Sequence, residues 1–135
     1  MLERDYIMRL IRQFFEALEK LKEEKKQEDQ TSIQLQIHSM YRAYFLQTES
    51  FFYEQDATFI LHHLITSFSE TEYLHRLEML TNLLCFDASI KKSETEKKEL
   101  YQKALLLIKH LDTHSNTFSF ERRQKIAEIQ RLLNQ

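Results

Sequence analysis

The chain has 135 residues, 42% of them hydrophobic and 30% charged, with a formal net charge of −2, one cysteine, and neither glycine nor proline. That balance belongs to a folded single domain (1–135) rather than a disordered chain, and it gives no general attraction to nucleic acid. Without glycine the backbone has no residue suited to approach a pyrophosphate or to take positive φ freely, which excludes phosphate-cradling loops, dinucleotide fingerprints and nucleophile elbows.

The first segment carries Ile7, Ile11, Phe14, Leu18 and Leu21 at spacings of 4, 3, 4 and 3, a helical apolar seam. Met8, Leu10 and Phe15 widen it, so this helix is expected to touch more than one neighbour. The mixed-sign run Lys22–Asp29 reads as solvated helix end or connector. Thr31 or Ser32 is the expected N-cap of a second helix through Ile33, Ile37, Met40, Tyr41, Tyr44 and Phe45. Its alternating start, Ile33 to Ile37, is not read as a strand because nothing follows that can pair with it. Residues 47–55, with Phe51, Phe52 and Tyr53, are aromatic enough to be buried but show no seam that places them.

Asp56 is expected to cap a short third helix with Ala57, Ile60, Leu61, Leu64 and Phe68 inward. Ser69-Glu70-Thr71-Glu72 has the form of a capping box, with Phe68 and Tyr73 at hydrophobic-staple positions. It opens a fourth helix on Tyr73, Leu77, Leu80 and Leu84. The same four residue types recur at Ser93–Glu96 and open a fifth, whose seam is Tyr101, Ala104, Leu105, Ile108 and Leu111. Ser119 starts a sixth through Ile126, Ile129 and Leu133. The expectation is an all-α fold of about six helices in antiparallel pairs: a helical-hairpin stack, degenerate tetratricopeptide-like, or an irregular bundle. A regular repeat array is not supported, since the tetratricopeptide pattern needs glycine and proline.

Charge is segregated along the chain. Residues 1–48 are balanced; 49–87 hold seven acids and one base; 91–131 hold ten bases and six acids. The plain reading is that helices of opposite sign face each other or water; the sharper reading is head-to-tail self-association. The N-terminus lacks a signal-peptide pattern and the longest apolar run, Ala104–Ile108, is far too short to span a bilayer, so the expected location is cytoplasmic, away from membranes.

Candidate chemistry is sparse. His110 and His114, at i and i+4, are a weak metal pair better explained as cations at a helix C-terminus. His62 and His63 are adjacent and diverge. Glu72-x-x-His75 matches one element of a di-iron motif that needs two. Cys85 lies in Leu83–Phe86, an apolar setting that makes a thiol inert. Arg122, Arg123 and Lys125 begin the last helix against its dipole, so a compensating acid is expected nearby.

Leu2-Glu3-Arg4-Asp5-Tyr6-Ile7-Met8-Arg9 and Thr117-Phe118-Ser119-Phe120-Glu121-Arg122 resemble elements of an uncharacterised family of small bacterial all-helical proteins. The resemblance implies tetratricopeptide-like hairpins and carries over no catalytic residue. The expected function is a non-enzymatic protein–protein interaction or self-association module, without cofactor and without nucleic acid, contacting its partner through Met8, Phe15, Phe51, Phe52 and Tyr53. Core packing is the competing reading of those five. The alternative function is a bundle that binds a metal or small ligand through histidines, with enzymatic activity open.

Overall fold

A computed structural model describes residues 2–27 and 29–135; Glu28, in the predicted connector, lies outside the described residues. The described residues form seven helices and no strand: α1 (Leu2–Glu24), α2 (Gln30–Phe45), α3 (Glu49–Glu54), α4 (Ala57–Ser67), α5 (Glu70–Ile90), α6 (Glu94–His114) and α7 (Phe120–Leu133). The added element is α3, formed by the aromatic stretch that had no periodic seam. At six residues it is too short to display one.

Polar side chains start the helices in a chain with no proline or glycine to mark their boundaries. Asp56 accepts from the Phe59 amide at 2.8 Å, Ser69 from Glu72 at 3.2 Å, Ser93 from Glu96 at 3.3 Å and Ser119 from Arg122 at 3.1 Å. Each satisfies an amide that the helix itself cannot pair. The cap of α2 corrects the expectation of Thr31 or Ser32: Asp29 caps it, accepting from Ser32 at 2.8 Å, and the helix starts earlier. Gln30, recruited into its first turn, donates its side-chain amide to the Ile90 carbonyl at the end of α5. That long-range bond is invisible to local pattern.

The hub is α5, which packs most extensively on α6 and also meets α1, α2 and α4, while α7 lies on α6. The sequence suggests one inner face for α5, yet all six residues from Leu83 to Ala88 are buried. Such consecutive burial means neighbours on several sides, the position of a helix at the centre of a bundle. Around it gather Phe14, Leu18, Ile33, Ile37, Tyr41, Phe45, Ile60, Leu64 and Leu107.

Arg76, buried on α5, locks this hub to α2. Its guanidinium donates to Glu72 Oε2 at 2.7 and 3.0 Å and to the Tyr44 carbonyl at 2.6 Å, and its plane lies 4.3 Å from the Phe68 ring centroid. Glu72, expected in a capping box, therefore directs one carboxylate oxygen to Arg76. A second bracket joins α6 and α7: Asp112 accepts from Arg122 at 3.1 Å and from Arg123 at 2.7 Å. It is the acid that two cations at the start of a helix call for.

Candidate functional site

The five predicted contact residues separate in space. Met8 is 51% exposed on α1. Phe15 is half-buried, packed edge-on against Phe14 at 5.1 Å. Phe52 is removed from any contact surface: it is fully buried, stacked 4.9 Å from Tyr41 and edge-on to Phe45. One helical turn of α3 is enough to point Phe52 into the core while its neighbours Phe51 and Tyr53 stay half-buried.

Tyr53 belongs to a polar cluster centred on Asp87, a fully buried carboxylate on α5. Tyr41 and Tyr53 donate their hydroxyls to Asp87 Oδ2 at 2.7 and 2.6 Å, and the Gln34 amide nitrogen lies 3.2 Å from Oδ1. Lys91, the residue just past the end of α5, places its ammonium 3.3 Å from Asp87, 3.1 Å from Gln34 Oε1 and 3.2 Å from the Tyr53 hydroxyl. The same ammonium lies 4.5 Å from the centroid of the Tyr53 ring. Burial, and then the Asp87 charge, push both phenols above their ordinary pKa. Every strong donor aimed at Asp87 is spent on holding α2, α3 and α5 together. The cluster is a bracket, with both phenols kept protonated.

Beside it, Tyr53, Lys91, Glu96, Glu99, Leu100 and Lys103 line a cavity of about 250 Å³. Lys103 donates to the Phe52 and Tyr53 carbonyls at 2.9 and 2.6 Å, capping the last turn of α3, and burial lowers its pKa. Its position is that of a cation satisfying helix-end carbonyls.

Two of the histidines do similar work. His63 Nε2 donates to the Phe45 carbonyl at 2.8 Å, and His114 Nδ1 to the His110 carbonyl at 2.9 Å. The His110 and His114 rings stack at 3.9 Å, with His110 Nε2 3.4 Å from the Tyr73 hydroxyl. Burial first, and the neighbouring His114 second, lower the His110 pKa. Among the described residues, no group of three or more His, Cys, Asp or Glu is arranged to hold a metal ion. Cys85 is buried between α5 and its neighbours, and burial raises its thiol to about 11.

Large apolar side chains stay exposed at several places, among them Tyr6, Met8, Leu35 and Leu106, and two of these places are aromatic groups. At the α6–α7 turn Phe118 is 73% and Phe120 65% exposed, and the Arg123 guanidinium lies 5.6 Å from the Phe118 ring. On the α3–α4 side, Phe51 contacts Phe59 at 6.0 Å and His63 at 5.1 Å, with Phe59 exposed. No protein-family model, no curated protein and no solved structure matches this chain.

Sequence pattern missed Asp87 and the two exposed phenylalanines for different reasons. Asp87 had a signal, a lone acid ending the apolar run Leu83–Phe86 with Lys91 four residues on. Phe118 and Phe120 had none of their own, because an aromatic residue near a helix start reads equally well as a staple turned inward.

Proposed function

We propose that the chain is a non-enzymatic interaction module of the cytoplasm, its helices paired antiparallel in a tetratricopeptide-like stack, that holds a protein or peptide partner. The observation that carries this reading is the Phe118/Phe120 turn. Large aromatics dominate interface energetics when desolvated, and here two stand in water beside a guanidinium. The polar groups of the interior point the same way. Asp87, Arg76 and Asp112 are each occupied by structural partners, leaving their side chains committed to holding helices together.

The test is recovery of partners from the source cell by tagged wild-type chain and by the double variant Phe118→Ala, Phe120→Ala, compared by mass spectrometry. The expected result is a protein, including an untagged copy of the chain, recovered by wild type and lost with the variant. Equal recovery by both, or none by either, overturns the reading. Stoichiometric zinc, iron or manganese in the purified protein would instead favour a ligand-binding bundle using the histidines.

A further inference from the structure

α7 rests on α6 and α1 rests on α5, and between these two packings the four helices border a cavity of about 160 Å³. Its inner wall is made by Cys85 and Phe86 of α5, Tyr101 of α6 and Ile129 of α7, all buried. Tyr101 stands out among them. It is 8% exposed, yet among the described residues its hydroxyl meets no hydrogen-bond partner. No fully enclosed side-chain oxygen or nitrogen of those residues lacks a partner, so this hydroxyl opens onto the cavity that its ring lines. The hydroxyls of Tyr41 and Tyr53, by contrast, both bond Asp87. A phenol so deeply buried with its O–H unpaired lowers stability, and phenylalanine would pack the same ring without that loss.

The charged groups on the same wall are unpaired as well. Lys125 and Glu128 stand three positions apart on α7, within reach of one another, yet neither forms an ion pair or hydrogen bond among the described residues. Lys22, the remaining charge on this wall, is drawn away to Glu19 at 3.4 Å. Asn82 gives its amide N–H to the Glu78 carbonyl at 2.9 Å and keeps its own carbonyl oxygen as an acceptor. The charges act on one place. Burial raises the Cys85 pKa most, with Lys125 opposing it and Glu128 reinforcing it; burial, then Cys85 and Glu128, raise that of Tyr101.

We propose that this cavity binds a free α-amino acid with a short apolar side chain. One cation and one anion that stand apart around a cavity match a ligand whose own two charges stand apart. The ligand carboxylate meets the Lys125 ammonium and the Tyr101 O–H, its ammonium meets Glu128 and the Asn82 carbonyl oxygen, and its side chain lies on Phe86, Ile129 and Leu132. A simple carboxylate leaves Glu128 facing a like charge, and a simple amine does the same to Lys125. Size sets the side chain: a cavity of about 150 Å³ admits benzene, so one of this volume takes a ligand of alanine to valine size. The site lies apart from the Phe118/Phe120 turn and does not depend on a partner bound there.

Isothermal titration calorimetry of the full chain with L-valine is expected to show one saturable site. Isovalerate, which lacks the ammonium, and isobutylamine, which lacks the carboxylate, are each expected to bind about tenfold or more weakly. Tyr101→Phe is expected to lose about tenfold in affinity for L-valine, while its urea midpoint without ligand stays level or rises because no partner within the chain is lost. Glu128→Gln is expected to bind L-valine and isovalerate alike, and Lys125→Met to bind L-valine and isobutylamine alike. The absence of saturable binding by both L-valine and L-alanine at millimolar concentration overturns the proposal. So does an analogue that binds the wild-type chain as tightly as L-valine, an unchanged affinity in Tyr101→Phe, or a fall in that variant's midpoint, which would give the hydroxyl a role in the fold instead. Every one of these variants keeps the Phe118/Phe120 turn, so failure here leaves the interaction-module reading standing.

Discussion

Leu46 shows what a chain without glycine must accept. α2 ends on a left-handed residue whose amide donates back to the Arg42 carbonyl at 3.2 Å, the place where glycine or asparagine is ordinarily found. Because the side chain is exposed, little packing is lost by trimming it. Leu46→Gly is therefore expected to raise stability by about 0.5–1 kcal/mol, the relief of left-handed strain exceeding the added entropy of the unfolded chain. The check is the urea midpoint at unchanged m-value, measured at low protein concentration; Leu46→Val, β-branched at positive φ, is expected to shift it the other way.

Helix starts were legible because an N-cap is a local event. Ser69, Ser93, Asp56 and Ser119 each act on an amide three residues away, well inside the reach of sequence pattern. What joins one helix to another was less legible. Asp87 binds Tyr41 from 46 residues away and Tyr53 from 34, separations over which no periodicity reports. Because α2, α3 and α5 all depend on this carboxylate, Asp87→Ala is expected to cost about 3–5 kcal/mol, and Tyr41→Phe about 1.5–3 kcal/mol. Replacing Asp87 and Lys91 together by Leu and Met is expected to cost less than Asp87→Ala, because no buried charge is then left alone. Urea unfolding of the four chains measures these differences, and a double variant weaker than the single one would contradict the account.

The molecule as a whole should be sensitive to alkali. Burial raises the pKa of Cys85 to about 11 and raises Tyr41, Tyr44, Tyr53 and Tyr101 as well. Each is an acid whose folded pKa exceeds its unfolded value, so its contribution is complete below the unfolded pKa and disappears as pH climbs through the folded one. With unfolded values of about 8.5 for cysteine and about 10 for tyrosine, stability is expected to decline from about pH 9 upward. Lys103, a base with lowered pKa, acts in the opposite sense but stands alone against five. Thermal melts between pH 7 and 11 check the slope. Native Cys85 is also expected to resist thiol reagents at neutral pH until the chain is unfolded.

Composition and period alone settled that this chain is helical, where most helices begin, and that Cys85 is an interior thiol, since each of these follows from neighbours within a turn or two. They left open which aromatics face inward: Phe51, Phe52 and Tyr53 are consecutive and chemically alike, yet only Phe52 is fully buried. Only the packing of α2, α3 and α5 against one another could assign the rest. It turned Tyr53 toward a carboxylate far along the chain, while the packing of α7 on α6 left Phe118 and Phe120 in solvent. Burial depends on the distance between helices in space, and that distance is not written in the order of residues along any one of them.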